Sequence, residues 1–260
     1  MKNTMKLMTV VLISTSVLGA ATSFAAGETS KATTEGKVQF TNEDNNEVEP
    51  PVNPETDPEG EVVEPGEEPG GEQGTAGPLQ INWVSNFDFD INKVSMVDKF
   101  YDAKLTNDKK TKKPLANFVQ LTDKRGTGEG WSLSVTQKGE FTSEKNILDG
   151  ARIHLKNGNI TSNLGEETFP SMDLKETPAE GAEEISGQGT LVPDQKLPLM
   201  TATEKKGMGR YSLYFGKTTD GSAESSVQLE VPGNIVKYAD VAYTTALEWN
   251  LESAKPNIEE

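Results

Sequence analysis

The stretch GWSLSVTQ, residues 130–137, sets Trp131, Leu133 and Val135 in alternation with Ser132, Ser134 and Thr136. A period of two sends successive side chains to opposite faces of an extended chain, so this is a half-buried strand with an apolar side and a hydroxyl side. A second stretch, YTTALEWNL at residues 243–251, answers it near the C-terminus. Val241, Tyr243, Leu247, Trp249 and Leu251 share its odd-numbered face, with Thr245 among them. Two tryptophan-bearing strands more than a hundred residues apart imply one sheet system closing on itself.

The chain between them carries further strand signals. LQINWV at 79–84 comes first, and Phe87, Phe89 and Ile91 then alternate with Asp88, Asp90 and Asn92. NFVQLTD at 117–123 precedes the glycine-rich turn before Trp131. Ile153 and Leu155 share one face of 151–156, which ends at Asn157-Gly158, a type I′ hairpin signal. Segments 197–203 and 210–215 flank a turn around Gly207 and Gly209, and Val227, Leu229 and Val231 alternate before Pro232-Gly233. Strands at short spacing, with a helical turn conceivable only at 143–148, predict an all-β domain over 78–254. Its expected form is an antiparallel β-sandwich or a Greek-key-like barrel. Residues 161–195, polar and rich in Gly, Pro and Glu, read as a long insertion loop.

Upstream, Lys2 and Lys6 precede an apolar run at 7–18 and a small-x-small site ending at Ala25. This is the pattern of a secretory signal peptide at 1–25, with an apolar run too short to span a bilayer comfortably. Residues 26–77 hold fourteen carboxylates against Lys31 and Lys37, and abundant Pro and Gly. They predict an acidic, self-repelling linker, with KVQFT at 37–41 as a short edge strand on the main domain. Residues 255–260 form a polar tail, and neither a covalent sorting signal nor a second apolar span is expected. The mature chain therefore reads as exported without membrane insertion. With no cysteine, it depends on core burial in place of disulfides, and thiol chemistry is excluded. A net charge of −16 repels phosphates, which argues against nucleic acid.

WSL followed by Y-x-x-x-L-x-W-x-L resembles the WxL domain of surface proteins from low-GC Gram-positive bacteria. The resemblance extends to GPLQINWVSNFDF at 77–89 and to the acidic PVNPETDP at 51–58, and so covers most of the mature chain. It implies a secreted protein held non-covalently on peptidoglycan at the cell surface, assembled with membrane-anchored surface proteins. The motif positions are Trp131, Ser132 and Leu133, and Tyr243, Leu247, Trp249 and Leu251; Glu248 stands where the family often has Thr. Different readings are an adhesin whose main ligand is a host extracellular protein, and a subunit retained only through a membrane-anchored protein partner.

Two sets of residues are candidates for contact with the wall. Trp131, Leu133, Tyr243, Leu247, Trp249 and Leu251 would suit an aromatic groove for a carbohydrate polymer, since a ring offers a flat apolar face to sugar C–H groups. The same residues at strand spacing equally suit a core. Lys109, Lys110, Lys112 and Lys113, with Lys104 just before, could attract an anionic wall polymer. Other chemistry fits poorly. Asp88, Asp90 and Asn92 begin like a calcium loop, but Lys93 and Lys99 occupy its glycine and glutamate positions, and an ordinary strand explains their spacing. Gly216-Lys217-Thr218 lacks both the first glycine and the helix of a phosphate loop. The sole histidine, His154, lies opposite Ile153 and Leu155, facing solvent, with no nucleophile elbow. No catalytic residue, metal or cofactor is expected.

Overall fold

The computed structural model describes residues 33–41, 47–56, 60–177 and 182–254. The expected signal segment and the polar tail lie outside the described residues. The chain divides into two compact units, Met1–Phe40 and Thr41–Glu260. Residues 33–41 form no strand, and Val38 and Phe40 are 74% and 88% exposed. The edge strand expected at 37–41 is therefore not formed here; two apolar side chains without a ladder gain too little to fix it.

The principal strands of the second unit are, in chain order, β1 (Gly71–Glu72), β2 (Leu79–Ser85), β3 (Lys99–Asp102), β4 (Asn117–Asp123), β5 (Trp131–Ser143), β6 (Arg152–Leu155), β7 (Gly158–Ser162), β8 (Ser171–Met172), β9 (Gly189–Leu191), β10 (Lys196–Ala202), β11 (Gly209–Phe215), β12 (Val227–Val231) and β13 (Thr244–Ser253). They form three antiparallel sheets, ordered β1-β2-β4-β11-β7, β8-β10-β5-β13 and β9-β6-β12-β3. The all-β class is as expected, and the sheets do not close into a barrel. One apolar core joins all three: Val119, Leu121 and Leu213 from the first, Trp131, Leu133 and Met200 from the second, Ile153, Leu155 and Leu229 from the third.

The chain changes sheet at most connections, and this overturns several local expectations. Asn157-Gly158 closes no hairpin, because β6 pairs with β9 and β12 whereas β7 pairs with β11. Asn157 takes a positive φ of 51° at a corner between sheets, where its side-chain amide donates to Ser226 Oγ at 2.9 Å. Residues 143–148 form no helix: Asn146–Ile147 pairs back onto the end of β5. The supposed insertion loop 161–195 contains β8 and β9, and its Leu174 is fully buried in the core. The Asp88–Asn92 run is irregular chain and not a strand. Asp90 has φ 62° and its N–H donates to Asp88 Oδ1 at 2.9 Å, while Lys104 Nζ sits 3.4 Å and 2.9 Å from the two carboxylates. Its ammonium occupies the place a cation would take, and its hydrogen bond lowers the Asp90 pKa.

The acidic linker is the largest correction. Residues 47–56 and 60–72 form a strap bound across the outer face of the first sheet, with Pro51, Val52, Pro54 and Val63 buried. Proline-rich chain cannot supply a full ladder of N–H groups, so side chains of the sheet satisfy it. The Gln120 amide accepts from Val52 N at 3.0 Å and donates to Val52 O at 3.3 Å and Ser212 Oγ at 2.7 Å. Gln80 Oε1 accepts from Glu49 N at 3.2 Å, Asn82 donates to Glu49 O at 3.4 Å, and Thr161 Oγ1 donates to Pro54 O at 2.8 Å. Val52 and Val62 bridge within the strap, and β1 then joins β2. NFVQLTD thus has two buried faces, one in the core and one under the strap.

Candidate functional site

The two motif strands pair directly. β5 and β13 run antiparallel, with Trp249 opposite Val135 and Leu251 opposite Leu133. Arg125 joins their ends to β4: its side chain meets Asp123 Oδ2 at 2.8 Å, Glu129 Oε2 at 3.3 Å and Gly130 O at 2.6 Å. On the inner face Trp131 is 0% exposed and packs 5.7 Å from Tyr211, while its indole N–H donates to Gly207 O at 2.8 Å. Gly207 has φ +79°, and a Cβ there would lie 2.5 Å from Trp131 Nε1, so only glycine lets the turn close over the ring.

This burial decides part of the aromatic-groove expectation. Trp131 and Leu133 expose no surface to a polymer; they are core residues. Tyr243, Leu247, Trp249 and Leu251 are half-buried against that core, and Trp249 meets Phe87 edge-on at 6.4 Å. The motif's apolar face holds the sheet together more than it presents a groove.

The opposite face is the wetter one: its β13 residues are exposed, Ser132 and Thr136 are half-buried, and Ser134 is buried. Register sets Ser132, Ser134, Thr136 and Lys138 of β5 beside Glu252, Asn250, Glu248 and Ala246 of β13. Across β5, the same residues meet Thr201, Pro198 and Lys196 of β10. Lys138 pairs with Glu248 at 3.3 Å, and Lys196 reaches Glu252 at 3.2 Å. The result is a surface of hydroxyl, amide and paired charged groups, able to donate to and accept from sugar hydroxyls, acetamido groups and short peptides. The signal was present in the sequence, since the polar half of the alternation that revealed β5 is this surface; the sequence reading gave weight only to the apolar half.

The lysine loop is tied to the strap. Thr106–Asn107 pairs with Pro114–Leu115, and Asp108 is buried at the base of the turn. Burial opposes ionisation of Asp108, but donors from Glu64 N, Thr111 Oγ1, Thr111 N and Lys110 N outweigh it and lower its pKa from 3.8 to about 2. Lys109 Nζ lies 3.2 Å from Glu67, whereas Lys110, Lys112 and Lys113 are exposed. Because the folded-state value lies below the unfolded one, the contribution of Asp108 is complete above about pH 4 and is lost as pH falls towards about 2. Asp108→Asn should cost about 2 kcal/mol at neutral pH. Urea melts at several pH values should show the gap to the unmodified protein narrowing below about pH 4; a gap independent of pH would contradict this role.

The third sheet's outer face holds His154, which is covered where solvent was expected. Its ring nitrogens lie 2.9 Å from Glu230 Oε2 and 2.9 Å from Thr190 Oγ1, and Phe100 packs over it at 5.4 Å. Two loops expose apolar side chains: Ile91 (97%), which was expected in an alternating strand, and Met96 (84%), Val97, Val236 and Tyr238, which the sequence reading left unassigned. They are joined where Gly233 N donates to Asp98 Oδ1 at 2.7 Å. Among the described residues no cluster of three or more His, Asp or Glu is placed to hold a metal ion, and no helix is long and apolar enough to cross a membrane.

A family model described as WxL domain surface cell wall-binding matches residues 27–255, nearly the whole chain. No curated protein and no solved structure matches.

Proposed function

From a chain that belongs to the WxL family of surface cell wall-binding domains, we propose a protein that attaches non-covalently to peptidoglycan through the wet face of its two motif strands. The observation that carries the placement is the burial of Trp131 and Leu133, which leaves Ser132, Thr136, Asn250 and the flanking ion pairs as the part of the motif a polymer can touch. Hydroxyl and amide groups on a rigid sheet lose little entropy when they bind, and the alternating charges suit a wall that carries amines, carboxylates and sugars together. The role is one of binding and not of catalysis.

The exposed apolar loops around Ile91 and Met96 favour a second element of the reading, assembly with another surface protein. Contiguous exposed apolar side chains mark interaction surfaces.

The test is a pull-down of the mature protein, residues 26–260, on purified peptidoglycan with and without wall teichoic acid. Ser132→Glu/Asn250→Glu should retain at least ~10-fold less protein while staying folded, at a stability cost of about 1–2 kcal/mol because the new carboxylates lie beside Glu252 and Glu248. Unchanged retention would remove this face from the site. Binding lost only with teichoic acid would transfer it to Lys110, Lys112 and Lys113. No binding to either wall, but retention on cells carrying a partner protein, would leave the protein-mediated route alone.

A further inference from the structure

We propose that the free edge of β13 is a docking site for the segment Lys37–Thr41 of a second copy of this chain, so that the protein self-associates head to tail. Two independent observations meet in this proposal. The first is the edge itself. β13 is ten residues long and pairs with β5 on one side, and among the described residues no strand pairs with its other side. Such an edge presents unpaired N–H and C=O groups at alternate residues and is a template for another strand. Its apolar row, Leu247, Trp249 and Leu251, is only half-buried.

The second observation is a strand-patterned segment without a ladder. KVQFT puts Val38 and Phe40 on one face and Lys37, Gln39 and Thr41 on the other, and both apolar side chains are largely exposed. Added to β13, it would lay Val38 and Phe40 beside the Leu247–Trp249–Leu251 row. Lys37 and Gln39 would then lie beside Glu248, Asn250 and Glu252.

Charge selects this occupant over the obvious competitor. Two β13 edges paired symmetrically would bring Glu248 and Glu252 of one copy towards those of the other, and like charges on adjacent strands destabilise a pair. Lys37–Thr41 brings a lysine and no carboxylate to the same row. A tail-to-edge contact uses different surfaces on the two copies, so it propagates into rings or open chains. On a repetitive polymer such assemblies bind with avidity.

Sedimentation of the mature protein over a range of concentrations tests the proposal, with the double variant Val38→Glu/Phe40→Glu alongside. Both substitutions lie in exposed chain, so the fold is not at stake. The unmodified protein should gain mass with concentration, and the variant should weaken the association at least ~10-fold. A synthetic peptide of residues 33–43 should slow amide exchange in β13 and compete with association. A protein that stays monomeric throughout, an association that survives the double variant, or β13 protection independent of protein concentration would overturn it.

Discussion

Trp131→Ala should destabilise the domain by about 3–5 kcal/mol, the range for emptying a large aromatic site in a core. For a domain of this size that is a fall of about 6–20 °C in Tm. The reason is local and complete. The ring is fully buried at the junction of the first and second sheets, it contacts Tyr211, and its N–H is the partner of Gly207 O. Trp131→Phe keeps most of the apolar contact and loses only the indole hydrogen bond, so it should cost less, with about 1 kcal/mol from that bond. Thermal melts followed by circular dichroism, run beside the wall pull-down, separate packing from recognition. Trp131→Ala should lose binding only in proportion to the fraction unfolded, whereas Ser132→Glu/Asn250→Glu should lose binding while folded. A loss below about 1 kcal/mol for Trp131→Ala would return the ring to the list of wall contacts.

Removing the Gln120 amide should release the strap. Gln120→Leu fills the same space but leaves Val52 N, Val52 O and Ser212 Oγ without their partner under a buried cover. Unpaired buried groups of this kind cost about 1–3 kcal/mol each, and the strap segment that creates the burial can lift off to rehydrate them. The expected result is therefore a local change larger than the global one. Limited proteolysis should cut within residues 47–56 in the variant and spare residues 78–254, while the unmodified strap resists. A variant strap that stays protected would show that Asp108, Thr161 and β1 hold it without Gln120.

Most of the individual strands were legible in the sequence. WSLSV, LEWNL, NFVQLTD and VQLEV each declare a strand because alternation is a property of four to eight neighbouring residues. That the first two belong to one sheet system was readable as well; their direct pairing came from the structure. The connections were not. Asn157-Gly158 has the chemistry of a tight hairpin, but its positive φ is equally suited to a corner, and only the distant partners Ser226 and Gly216 choose between them. Asp88–Asn92 alternates like a strand, but it is irregular chain held by Lys104, a dozen residues away. The strap was misread for a related reason: Pro, Glu and Gly cannot build a core, yet they can be bound by one if a sheet offers buried amides.

Composition and alternation by themselves determined the all-β class, the two motif strands and the expectation of export, because each depends on residue type and local spacing alone; the family came from the resemblance of the motifs and from the family model that matches residues 27–255. Tertiary structure decided the rest. It placed Trp131 and Leu133 inside, turned Ser132 and Asn250 outward and laid the acidic segment across Gln120. Periodicity states that a strand has two unlike faces; what covers each face is set by chain a hundred residues away, through contacts that no local pattern records.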